Sequence, residues 1–156
     1  MDAQVTKPPK LPPVWFKHLF WRGHRLLYRL TGGRVLWTPK GKRGWGAMHL
    51  TTIGRKSGQQ RSVIVGYIDD GSTPVVLAMN GWDEGHPAWW LNLEANPDAT
   101  IRLANQQLRE VRARAATGDE RDRLMAKMIE HWPFFGDYEK IAGRTIPVVR
   151  LRKLEG

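Results

Sequence analysis

The sequence predicts an α+β chain: about six antiparallel strands curled into a closed or half-closed barrel, an N-terminal amphipathic helix and two to three further helices. Three observations lead there. Strand-forming residues run up to Ile53, break at a glycine-bounded turn, resume from Gln59 to Asp69 and turn again at Asp70-Gly71, the pattern of a meander. These strands are apolar nearly throughout, as strands buried on both sides are. The chain of 156 residues fits one domain and can bury a core without metals or crosslinks.

Taken in order, residues 1–13 are polar, with four prolines and two lysines, and predict a flexible arm rather than a secretion signal. Residues 14–33 predict an amphipathic helix stopped by Gly32-Gly33. On it His18, Arg22, Arg25 and Arg29 share a face opposite Phe16, Leu19, Phe20, Leu27 and Leu30. Two readings of this helix stay open: its apolar stripe packs on the body of the domain, or its basic face with aromatic residues lies on anionic lipid. It carries too many cations to span a bilayer.

Residues 34–156 form the barrel domain. Residues 34–47 show no clear period and read as a loop, a candidate cover for a ligand's tail. Strands are expected at Met48–Ile53, Gln59–Asp69, Pro74–Met79, Ala99–Ala104, Gln107–Ala115 and Arg144–Leu151, with Pro147 marking an edge position or bulge. Pro87 is placed as the first residue of a helix over HPAWWLNLEAN, with Asp83 and Glu84 near its positive end. Thr117 and Glu120 stand at capping-box spacing before a helix running to Trp132, with Leu124, Met125, Met128 and Ile129 as its core stripe. Pro133 breaks that helix, and Phe134, Phe135 and Tyr138 follow as an aromatic lid candidate.

Charge and composition narrow the function. Twenty-five Lys and Arg against fifteen Asp and Glu leave +10, which favours a negative partner: nucleic acid, an anionic membrane or a polyanionic small molecule. The absence of cysteine removes disulfides and thiolate chemistry and suits a reducing cytoplasm. None of the five histidines stands at ligand spacing in a metal motif, so no metal is expected, and no serine elbow is present. Eight tryptophans are too many to expose, so several line a core, a pocket or an interface.

The turn between the first two strands, LTTIGRKSGQQR (Leu50 to Arg61), suits an anion. Gly54 and Gly58 supply the positive φ of a tight connection, and Arg55, Lys56, Ser57 and Arg61 offer three cations and a hydroxyl. It is not a P-loop, because Gln59 and Gln60 follow the second glycine and a strand, not a helix, comes next. A solvated hairpin tip remains the alternative on these residues alone.

Together, TTIGRKSGQQR (Thr51 to Arg61), HPAWWLNLEANP (His86 to Pro97) and RTIPVV (Arg144 to Val149) resemble the deazaflavin-dependent nitroreductase family of actinobacteria, over roughly Met48 to Leu151. The resemblance implies a split β-barrel of the FMN-binding-like type. The implied cofactor is coenzyme F-420, an 8-hydroxy-5-deazaflavin whose tail carries a phosphodiester and a string of glutamates. It also implies that Arg55, Lys56, Ser57, Gly58, Gln59, Gln60 and Arg61 hold phosphate and tail, with His49 and Thr51 approaching the same ligand. Leu77, Ala78, Met79, Asn80, Gly81 and Trp82, with Ala88 and Trp89, would wall the deazaflavin ring.

Trp132, Phe135 and Tyr138 would meet the acceptor: a quinone, an enone or a nitroaromatic. Tyr138 and Asn80 are the candidates for supplying or orienting a proton. Departures from the family pattern are Asn80 where serine is common and Ile64 and Gly66 where proline and tyrosine are. The family's tyrosine-rich region appears here as Trp132, Phe135 and Tyr138, which removes two hydroxyls that could orient or protonate a substrate, so the resemblance does not by itself imply nitroimidazole reduction. An FMN enzyme of the same fold and a basic RNA- or membrane-binding module are the competing readings. The acceptor is expected to be a small hydrophobic molecule and the protein cytoplasmic; the lipid-binding reading of the N-terminal helix would place it peripherally at the inner face of the plasma membrane.

Overall fold

The computed structural model describes residues 14–31, 36–39, 44–80 and 85–155. The arm over 1–13, the Gly32-Gly33 stop, part of the loop over 34–47, and Gly81, Trp82, Asp83 and Glu84 lie outside these.

Strands β1 (Gly46–Ile53), β2 (Gln60–Asp70), β3 (Thr73–Leu77), β4 (Asp98–Arg102), β5 (Leu108–Ala115) and β6 (Val148–Lys153) pair antiparallel throughout. They close in the order β1-β2-β3-β6-β5-β4, with β4 returning to β1 through the pairs His49 to Arg102 and Thr51 to Thr100. Closure removes every sheet edge. Pro147 therefore marks neither an edge nor a bulge: it precedes β6, and its carbonyl accepts the N–H of Ala78 at 2.9 Å.

Strand pleating sends Met48 and Leu50 of β1 into a core with Tyr67, Val76, Trp90, Ile101 and Leu151, while His49 and Thr51 take the other face, half-buried. A second core forms where β3 and β6 meet the helices: Val75, Leu77 and Val148 pack with Leu124 and Met128 of α3 (Gly118–His131) and Tyr138 and Ala142 of α4 (Tyr138–Ala142). Pro133 lacks the N–H that an α-helix would need, and the 3-10 turn Pro133–Asp137 joins α3 to α4.

Two expected caps differ from the structure. Thr117 is the N-cap of α3 but makes no side-chain cap bond, and the Glu120 carboxylate, instead of reaching back to the Thr117 N–H, pairs with Arg114 and Arg150 at 2.9 Å and 3.1 Å. Pro87 is the N-cap of α2 (Ala88–Ala95), one residue before the helix rather than its first residue. Among the described residues of the loop over 34–47, Leu36 is buried, Trp37 bridges Ala47, and Trp45 stacks between Trp37 and Trp132. That part lies on the barrel through aromatic packing and does not line the cleft.

Helix α1 (Val14–Thr31) leaves its described apolar side chains exposed. Trp15, Phe16, Leu19, Leu26, Leu27 and Leu30 are 47–75% exposed, which excludes packing of these side chains on the domain.

Candidate functional site

The β1–β2 hairpin tip is built by local bonds. The Gly54 N–H donates to the Gln59 carbonyl at 2.7 Å, and the Gly58 N–H to the Gly54 carbonyl at 2.8 Å. Only Gly58 has positive φ (66°); Gly54 is required for space, since a Cβ there would lie 2.6 Å from Ser57 Oγ. Ser57 Oγ accepts from the Gln59 N–H at 3.2 Å and keeps its own proton to donate. The backbone N–H groups of Lys56 and Ser57 have no hydrogen-bond partner among the described residues. Free N–H donors beside cations suit an anion.

This tip opens onto a cleft of about 1150 Å³. Arg55, Lys56, Ser57, Gln60 and Arg61 line it at one end, and Trp132, Phe134, Phe135 and Tyr138 line the aromatic end. Leu77, Met79 and Asn80 at the end of β3, and Ala88 and Trp89 of α2, form the walls between. Among the described residues the charged side chains lining the cleft are Arg25, Arg29, Arg55, Lys56 and Arg61, with no aspartate or glutamate. An all-cationic lining with an apolar floor fits a flat ring carrying an acidic tail, and that is the fit the deazaflavin requires.

Several residues singled out in the sequence sit outside the lining. Ala78 is fully buried behind the wall, Gly58 and Gln59 shape the tip, and the Thr51 hydroxyl pairs with Ser62 Oγ at 2.9 Å. Ser62 lines the cleft where Thr51 does not. His49 lines it as well, its pKa pushed down by burial and then by Arg102, so the imidazole is neutral near pH 7.

Sequence reasoning missed Asn92. It is 4% exposed on α2 and also lines the cleft. Its Oδ1 accepts from the Arg55 backbone N–H at 3.1 Å and from Arg55 Nη1 at 3.3 Å, while its Nδ2 donates to Thr52 Oγ1 at 3.1 Å. The signal was an amide inside the otherwise apolar run AWWLNLEA: a buried amide needs partners.

Two further clamps fix the walls. Arg144 donates to the Ala78 carbonyl at 3.2 Å and bonds His86 Nδ1 at 3.0 Å, joining the end of β3 to the approach to α2. Glu139 pairs with Arg121 and accepts the Ile146 N–H at 2.9 Å, and Arg121 also reaches the Ile146 carbonyl at 3.0 Å. That pair holds α4, and with it Tyr138, which is 1% exposed.

A closed antiparallel barrel with a cationic, aromatic-walled cleft defines the class of split-barrel flavin- and deazaflavin-type oxidoreductases. The family model described as F420H(2)-dependent quinone reductase matches residues 20–153. An F420H(2)-dependent quinone reductase of Mycobacterium tuberculosis is 33% identical over 138 residues, covering 85% of this chain and 89% of that protein. A solved structure titled F420-H2 dependent reductase superposes with a TM-score of 0.61 at 28% identity, covering 68% of this chain and 93% of that one. Another, titled a domain-swapped dimer, gives 0.65 at 27% identity over 88% and 98%. The chain belongs to the F420H(2)-dependent quinone reductase family: it is a split-barrel oxidoreductase whose cofactor is coenzyme F-420.

Proposed function

We propose that the cleft holds reduced coenzyme F-420 with its phosphodiester and glutamates on the hairpin tip and its ring between Met79-Asn80 and Ala88-Trp89. A quinone then stacks at the aromatic end, against Trp132 and Phe135. Enones and nitroaromatics are secondary acceptors of the same flat, electron-poor kind. The observation that carries this reading is the cleft's polarity: five cations, no described carboxylate, and a flat apolar wall in one cavity.

The cofactor supplies a hydride from the C5 position of its reduced ring. The protein supplies position, dryness and a proton. Arg55 is held against Asn92 and Lys56 stands exposed beside it at the tip, and carboxylate or phosphate oxygens suit their donors. Trp89 and the β3 end keep the ring in plane, and the aromatic end excludes water from the acceptor's face. Tyr138 and Asn80 line the cleft and are the side chains to deliver or orient the proton that a reduced quinone oxygen takes up.

The experiment is a titration with coenzyme F-420 and FMN followed by turnover of the reduced cofactor with a menaquinone analogue, an enone and a nitroaromatic. Binding of F-420 alone, with fastest oxidation by the quinone, supports the proposal. Equal FMN binding would return the FMN reading.

A second reading concerns α1. Its exposed apolar residues together with Arg22, which does not line the cleft, suit an anionic bilayer surface, where a lipid-soluble quinone is found. The protein would then act in the cytoplasm, peripherally at the inner face of the plasma membrane. Vesicles with anionic lipid should sediment the full chain and not a chain lacking residues 1–30; equal sedimentation would remove the membrane role.

A further inference from the structure

The basic side of α1 does something neither reading of the sequence anticipated. Arg25 and Arg29, one helical turn apart, line the same cleft as Arg55, Lys56 and Arg61. Neither makes a hydrogen bond or ion pair among the described residues, and the described apolar side chains of the helix are left exposed. Arg25 and Arg29 are exposed side chains at the rim of the cleft, able to reach a ligand held in it, and Leu19, Leu26 and Leu30 of the same helix are exposed as well. Bringing two more cations to a wall that already carries three is repulsive unless a polyanion lies among them.

We propose that Arg25 and Arg29 are ligands of the cofactor's acidic tail, so that α1 is a strap across it. This rests on the reading of the cleft as the F-420 site. Each glutamate adds a carboxylate to the phosphodiester, so a tail of several glutamates carries more negative charge than Arg55, Lys56 and Arg61 can neutralise. The i, i+4 pair on α1 supplies the balance. The strap thereby reads tail length: a longer acidic tail engages both α1 and the hairpin, a short one the hairpin alone.

The test uses the full chain. Wild type, R25Q/R29Q, R25K/R29K and R55A/K56A are titrated by fluorescence with coenzyme F-420 and with the tail-free deazaflavin alcohol, which keeps the ring and lacks phosphate and glutamates. R25Q/R29Q should bind the tailed cofactor about tenfold more weakly at low salt, with the difference shrinking at high salt, because exposed charge pairs are screened. Its affinity for the tail-free ring should match wild type, and R25K/R29K should recover most of the loss. Wild-type affinity for the tailed cofactor in R25Q/R29Q overturns the proposal. So does an equal loss for both ligands, which marks a structural role. If R55A/K56A loses affinity while R25Q/R29Q does not, the cleft assignment stands and the strap falls. If wild type does not bind the tailed cofactor, both fall.

Discussion

Asn92 Oδ1 receives two hydrogen bonds from one residue, Arg55: the backbone N–H at 3.1 Å and the guanidinium Nη1 at 3.3 Å. The amide thus ties the cationic hairpin tip to the helix that carries Trp89, and through Thr52 it reaches the base of the same hairpin. Tail site and ring wall are held in one register. Asn92→Leu keeps the volume and removes all three bonds, leaving Thr52 Oγ1 and the Arg55 N–H buried against an apolar side chain. It should cost about 2 kcal/mol in urea unfolding and about tenfold in cofactor affinity. Wild-type affinity in a folded variant would show that the tip positions itself without α2.

Removing two cations from the tip is a more direct perturbation. R55A/K56A should weaken F-420 binding by about 3 kcal/mol, the sum of two charge-assisted contacts at the lower end of their range. Thermal stability should change little, because Lys56 is exposed and unpaired among the described residues and, of the two Arg55 bonds to Asn92, the backbone N–H one survives the truncation. Unchanged affinity would make the tip an ordinary solvated hairpin.

Tyr138 lies at the start of α4 with its ring edge-on to Phe135, at 6.1 Å between centroids. Tyr138→Phe keeps this packing and removes only the hydroxyl. If the hydroxyl delivers the proton, kcat with a quinone should fall about 100-fold with KM for the cofactor unchanged. A fall below threefold would pass the role to Asn80 or to solvent.

Much of the fold was legible because the strands announce themselves. β1 and β2 are apolar runs joined by a glycine-bounded turn, and their observed limits differ from the expected ones by one or two residues. The cationic tip and the residues Trp132, Phe135 and Tyr138 were legible by residue type, and the structure brings them to one cleft. What stayed hidden depends on partners distant in sequence. Asn92 matters through Arg55, 37 residues away. Glu120 gave up its capping role to Arg114 and Arg150, which no local spacing reveals. The direction in which α1 turns its basic face was also beyond an amphipathic pattern, which fixes two faces but not which one meets the protein.

Asp70, at the end of β2, gives a pH test of stability. Its side chain is 15% exposed and receives Arg123 in two bonds of 2.9 Å, with Arg150 at 3.2 Å. These guanidinium groups, Arg123 first, hold its pKa at about 2, below the usual 3.8. A lowered carboxylate pKa stabilises the fold above the unfolded value and loses that contribution as pH falls toward the folded one. Asp70→Asn should therefore cost about 1–2 kcal/mol at pH 7, allowing for the solvent that reaches Arg123. The gap to wild type should narrow as pH falls from about 4 toward 2. A constant gap would show that Asp70 acts by packing rather than by charge.

The most direct test of the central claim, that the cationic cleft seats the acidic tail of a deazaflavin, is a fluorescence titration of the wild-type chain with coenzyme F-420 and FMN at low and high salt. Tight binding of F-420 that weakens with salt, with FMN at least tenfold weaker, is the result this account predicts. F-420 binding that is absent, or no tighter than FMN at either salt, would contradict it.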